Sequence, residues 1–208
     1  MLLSINGYTQ EGIVFEFGQN TSNYSHKTEV PPLDFYSQTG QELRVSYIRS
    51  LLSDHEISFG LSFFEANSKG KVITTNLDYQ TKFLGAFVKT HFNFLTLFNR
   101  RFCTSCTKIN FFATVGAQTS ILSQGTQKIN EQVIDLSGKE DFKGLWVAPM
   151  LGIKSRFDAS DLISLFISYE FMPMFNVTDN EEDFKKGIDI LETWGLKIVH
   201  NKILSRKF

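Results

Sequence analysis

Over residues 56–66 the chain reads EISFGLSFFEA, which puts Ile57, Phe59, Leu61 and Phe63 on one side of an extended segment and Ser58, Gly60 and Ser62 on the other. A period of two is the mark of a β-strand. The alternation recurs over 12–20, 41–52, 55–66, 77–94, 108–121, 143–157, 161–175 and 188–200. Helical spacing is scarce. Eight alternating segments separated by turn-rich polar stretches predict an all-β fold, either a sandwich or a barrel. No linker divides them, so 12–208 is expected to be one domain, preceded by 1–11.

The connections narrow the choice. Links two, four and six centre on SDH, NRRFCTSCT and DAS, whereas links one, three, five and seven are longer and polar. In a meander, such alternation gathers the short turns at one end and the long loops at the other. Outer-membrane barrels have that asymmetry, and a Greek-key sandwich gives no reason for it. The expected fold is therefore an eight-stranded antiparallel up-and-down transmembrane β-barrel, with both termini in the periplasm.

The two faces follow. One collects Ile13, Phe15 and Phe17; Leu43, Val45 and Tyr47; Ile109, Phe111 and Val115; Leu151 and Ile153; Ile163, Leu165, Ile167, Tyr169 and Phe171; and Trp194, Leu196 and Ile198. The other carries Ser58, Gly60, Thr114, Gly116, Ser164 and Ser168 interleaved with charges of both signs. An eight-stranded barrel is just wide enough inside to be filled by side chains. Glu16, Glu42, Arg44, Glu56, Lys154, Glu170 and Lys197 are accordingly expected to point inward and hold one another as a polar plug. Two features leave questions. Pro149 falls mid-strand, where it cannot donate to a ladder, and predicts a local bulge. The fourth strand has Tyr79, Phe83 and Phe87 on one parity and Leu84, Ala86 and Val88 on the other. A register change midway would explain that, and would decide whether Lys82 joins the plug.

Composition changes the picture little. The 208 residues carry a net charge of -1 with a pI near 6.4 and no basic patch, so nucleic acid is not an expected partner. Phe is unusually frequent, at 21 residues. No apolar run approaches the roughly 18 residues of a spanning helix, which leaves strands as the way across a membrane. The opening MLLSINGYTQ lacks a basic region and reads as a signal-peptide remnant or a disordered start.

At this point the sequence resembles the small outer-membrane β-barrel proteins of Bacteroidota, the PorT/OmpX-like barrel domains. FGQNTSNY resembles their opening strand, LGIKSRFDASDLISLFISYEF their penultimate hairpin, and TWGLKIVH with a terminal Phe208 their closing strand. The resemblance implies the outer membrane and its lipid as surroundings. It also implies a structural or accessory role, with a larger outer-membrane complex as a candidate partner.

Candidate chemistry is sparse. Cys103 and Cys106 form a lone C-x-x-C in a predicted turn; zinc would need two further ligands, and the pair reads as a local disulfide or two thiols. His26, with Ser22, Ser25 and Asp34, is the one histidine placed for rim chemistry of the general-base kind. The acidic stretch 177–187 lacks the glycine and spacing of a calcium loop. No cofactor, metal or enzymatic activity is expected, and recognition is assigned to the loops 21–39 and 122–142. Two rivals stand beside this reading. One is a soluble lipocalin-like calyx with the apolar face turned inward; the other is a rim-sited lipid-modifying enzyme.

Overall fold

Each of the eight expected alternating segments holds a strand, and several strands run on past their apolar stretches. The computed structural model describes residues 11–25, 34–52, 55–72, 75–94, 108–139, 142–160 and 163–177, and the backbone of 187–202. The elements are β1 (Glu11–Ser25), β2 (Asp34–Leu52), β3 (His55–Val72), β4 (Thr75–Asn93), β5 (Ile109–Ile129), β6 (Gln132–Asp135), β7 (Leu145–Asp158), β8 (Ile163–Asn176) and β9 (Gly187–Lys202). All pairings are antiparallel. The order β4-β3-β2-β1-β9-β8-β7-β5, together with the β4–β5 pairing, closes eight strands on themselves. The ninth, β6, is a short flap folded back on the end of β5 through a turn in which Asn130 has φ 54°, the left-handed region asparagine tolerates.

The faces divide as an outward apolar wall and a buried inner row. Phe17, Leu61, Ile153 and Ile167 are 59%, 62%, 64% and 62% exposed, while Glu16, Arg44, Ser62, Lys154 and Glu170 on the intervening positions are buried. An aqueous protein does not display an apolar belt of this extent. Along β8 the outward residues run apolar from Ile163 to Phe175. At the usual rise and tilt of barrel strands that run climbs roughly 30 Å, the thickness of a bilayer's hydrocarbon core. The calyx, which needs the apolar face inside, is not favoured.

The links depart from the expected alternation. Link three is only 73–74, because the polar stretch there continues β3 and β4 as paired strands (Lys71↔Asn76, Val72↔Thr75). Link four spans 94–108, close to the gap between the expected segments 77–94 and 108–121, and is longer than link three. The asymmetry between the two ends lies in the strands themselves. Beyond Phe17, Leu43, Phe63 and Leu84 the outward positions become Gln19, Gln41, Glu65 and Lys82. Strands β1 to β5 thus rise past the apolar belt as a polar wall at the end opposite the termini. Polar residues on both faces of a strand look like a loop in sequence; outside the membrane both faces tolerate them.

Pro149 makes no bulge. The β7–β8 register is the same on either side of it, from Val147↔Phe175 to Leu151↔Phe171, but the pairing lapses over the three rows between. Continuing that register sets Pro149 directly opposite Pro173. The register irregularity expected in β4 lies in its partner: Lys82 pairs with Gln124 and Phe83 with Leu122, so β5 carries the extra residue, Ser123. Burial in β4 alternates without a break from Thr81 to Asn93.

Candidate functional site

The inner rows of the strands form a filled lumen with two zones. On β1 the inward residues run from Val14 and Glu16 to Asn20, Ser22 and Tyr24; on β8 they run from Phe166 and Glu170 to Met172 and Met174. Toward the termini the filling is charged. Toward the far end it is apolar and aromatic.

The charged zone holds two clusters. In the first, the Arg44 guanidinium lies 2.6 Å from Glu170 Oε2 and 3.5 Å from Glu16 Oε2, and its Nε contacts Glu42. Lys89 Nζ shares the same two carboxylates, at 2.6 Å from Glu170 Oε2 and 3.7 Å from Glu16 Oε2. The Phe87 ring sits beside both cations, its centroid 5.6 Å from Arg44 Cζ and 4.8 Å from Lys89 Nζ. In the second cluster, Glu56 pairs with Lys154 at 3.0 Å and with Arg156, whose Nε lies 3.0 Å from Asp158. Phe112 and Phe166 flank Lys154, at 4.8 and 4.6 Å. Buried charges are tolerable when each is paired and hydrogen-bonded, and aromatic faces add to the cations' environment. A bare position makes room for this: a Cβ on Gly152 would stand 2.6 Å from Glu170 Cγ. Between the clusters lies a cavity of about 10 Å³ lined by Val14, Glu16, Ser46, Ile48, Ser58, His91, Lys154 and Phe166. That is about the room of one water.

The apolar zone is a single cluster of Tyr24, Phe64, Ala66, Phe83, Phe87, Leu136, Phe142, Trp146, Ala148, Met150, Met172 and Met174. Phe64 and Phe83 stack at 5.3 Å, and Trp146 meets Phe83 edge-on at 5.6 Å. Its polar atoms find partners: Tyr24 Oη lies 2.5 Å from Thr81 Oγ1, and Trp146 Nε1 donates to the Phe142 carbonyl at 3.4 Å. Leu136 and Phe142, from the segment joining β6 to β7, close the top. Beside them Asp135 is fully exposed, and hydrogen bonds from Ser137 hold its carboxyl below the usual aspartate value.

Of the expected plug residues, Glu16, Glu42, Arg44 and Glu170 stand in the first cluster, and Glu56 and Lys154 in the second. Lys197 is placed by its backbone alone, opposite Glu16 on β1 and Phe166 on β8. Lys82 faces outward and pairs with Glu65 at 3.3 Å. The sequence reading missed Lys89, although Gly85, Lys89, His91 and Asn93 share one parity of β4. It also missed the apolar zone, because aromatic and apolar residues on both parities left the facing of β4 open. Cys103, Cys106, His26 and the acidic tip lie outside the described residues. His91 is buried in the lumen, bonded to Ser58 Oγ at 3.1 Å and Thr114 Oγ1 at 2.9 Å. Both of its ring nitrogens thus meet hydroxyls, and it lines the small cavity.

No protein-family model matches the chain, and no curated protein matches it in sequence. Solved structures do. Neisserial surface protein A is 13% identical with a TM-score of 0.51, over 89% of this chain and 96% of that one. The outer membrane protein OprG from Pseudomonas aeruginosa is 10% identical with a TM-score of 0.49, over 95% of this chain and 97% of that one. At such identities the likeness to the Neisserial protein carries the fold alone. Strand closure, the outward apolar belt and this likeness agree: the chain is an eight-stranded antiparallel transmembrane β-barrel.

Proposed function

We propose that the protein is a small integral protein of a bacterial outer membrane, with a plugged lumen and a structural or accessory role rather than an enzymatic one. The observation that carries this reading is the pair of buried ion clusters on the inward faces of the strands, toward the termini. Charges that hold one another leave no chain of water for an ion to follow, and the aromatic zone lies in series with them. The termini are assigned to the periplasm and the strand-built wall beyond the belt to the cell exterior. That wall, with the β5–β6 flap, replaces the loops as the surface for recognition. A larger outer-membrane complex is the proposed partner and lipid the surroundings.

Two measurements test this. The detergent-folded protein should shift in gel mobility on boiling and should precipitate when detergent is removed. Reconstituted in a planar bilayer, it should give no steady unitary current. Stable channel openings would overturn the plugged reading, and a monodisperse protein in plain buffer would overturn membrane residence.

A further inference from the structure

Among the described residues, the wall has one place where proline removes its hydrogen bonding by construction. Val177 N donates to Leu145 O at 2.9 Å. In an antiparallel ladder, opposed pairs alternate between bonded and non-bonded. Counting along the constant β7–β8 register, the bonded pairs are Leu145 with Val177, Val147 with Phe175, Pro149 with Pro173, and Leu151 with Phe171. The two prolines therefore occupy one bonded pair. That pair should exchange two N–H···O=C bonds, and neither residue has an N–H to give. Their other neighbours lose nothing: Pro149 also faces Ala117 and Pro173 also faces Asp189, across ladders toward which neither ring nitrogen points. The loss is confined to a single seam, where three successive rows are unpaired.

What stands on either side of the seam matters more. Outward, Leu151, Phe171 and Phe175 place it within the apolar belt. Inward, the residues of the same three rows are Ala148, Met150, Met172 and Met174, all buried in the apolar zone. An unpaired polar backbone in hydrocarbon is costly, and the barrel puts two such prolines face to face where apolar lipid and apolar lumen are separated by one layer of chain. Methionine is the side chain best able to re-pack around a guest.

The geometry points to a lateral entrance: the β7–β8 seam at Pro149 and Pro173 admits an alkyl chain from the membrane into the apolar zone beneath Trp146. The zone is filled in this structure, so entry displaces the three methionines. This inference rests on membrane residence but not on the ion plug, which lies toward the termini and stays closed throughout.

Trp146 reports entry, in a protein carrying Trp194→Phe, Cys103→Ser and Cys106→Ser. The probe is 1-bromododecane, a contact quencher, in bilayers of unbrominated phosphatidylcholine; bilayers of a phosphatidylcholine brominated on its tails form a second arm. Pro149→Val with Pro173→Val restores both donors. Pro149→Cys with Pro173→Cys closes the seam reversibly, since opposed Cα atoms of a bonded pair lie about 5.5 Å apart, within disulfide range. Quenching of Trp146 should slow by roughly ten-fold in the valine variant, the scale set by two regained backbone hydrogen bonds. In the cysteine variant it should slow on oxidation and recover on reduction. Seam-dependent quenching in the first arm identifies a dissolved hydrocarbon as the guest, and in the second a lipid tail. No quenching in either arm, or quenching indifferent to the seam, overturns the inference. Heat-shifted gel mobility in every variant shows that the barrel itself is intact, so failure here is separable from failure to enter a membrane.

Discussion

The two halves of the lumen solve one packing problem by opposite means. Toward the termini, Arg44 and Lys89 share the carboxylates of Glu16 and Glu170, and each charge depends on its neighbours for a place in the interior. Toward the far end, Phe64, Phe83 and Trp146 fill the same diameter with rings that need only contact. The difference teaches where each half is brittle. A charged plug tolerates almost no single deletion, because what is left behind is an unpaired buried charge. An aromatic plug loses contact area with each deletion but strands nothing. The first suits a barrier; the second suits a compartment that can re-pack, which is where the proline seam lies.

The sharpest way to break the comparison is Glu170→Ala. Both cations of the first cluster rest on this carboxylate at 2.6 Å, so removing it should destabilise the barrel by about 3–5 kcal/mol, the cost of breaking a buried pair from one side. Urea unfolding of the protein folded into lipid vesicles measures this. A loss below about 1 kcal/mol would mean that the cations find water and that the plug is wetter than its geometry implies. Phe83→Ala in the apolar zone should cost about 3 kcal/mol by the same assay, from lost contacts and the cavity left behind. Here partial recovery is expected when an alkane is dissolved in the bilayer. The same addition should do nothing for Glu170→Ala.

How much of this was legible in the chain depends on whether a residue's neighbours along the strand shared its surroundings. Where apolar and polar alternate cleanly, as in 43–47 and 163–171, the faces read correctly and Arg44 and Glu170 came with them. In β4 the inward row passes from aromatic to charged within a few residues: Phe83 and Phe87, then Lys89 and His91. An average over that row looks neither inward nor outward. The strand extensions beyond the belt were read as loops for a related reason. A period of two needs a difference between faces, and where inward residues such as Asn20, Ser22, Ser68 and Thr81 alternate with outward polar ones there is little difference to see. The prolines were visible, but their pairing was not. Only the register brings Pro149 opposite Pro173 and turns an isolated anomaly into a seam. Nothing in the sequence alone orders the halves of the lumen, because that depends on residues from five strands meeting at one height.

The smallest expected effect is the most direct check on the facing of β4. Lys82 and Lys89 are seven residues apart, so they stand on opposite faces of one strand. Lys82 is outside, its side chain 44% exposed and paired with Glu65 at 3.3 Å; Lys89 is fully buried on Glu170. An exposed pair is worth about 0–1 kcal/mol, so Lys82→Met should leave urea stability nearly unchanged, and its small effect should vanish in high salt. Lys89→Met strands excess carboxylate charge beside Arg44, and its effect should be several times larger and insensitive to salt. The contrast is built into the fold's parity, so it holds whatever the absolute numbers. A reversed contrast, with Lys82→Met the costly change and Lys89→Met the neutral one, would mean that β4 is shifted by one residue. Phe83 and Phe87 would then face lipid, and the apolar zone would lose its floor.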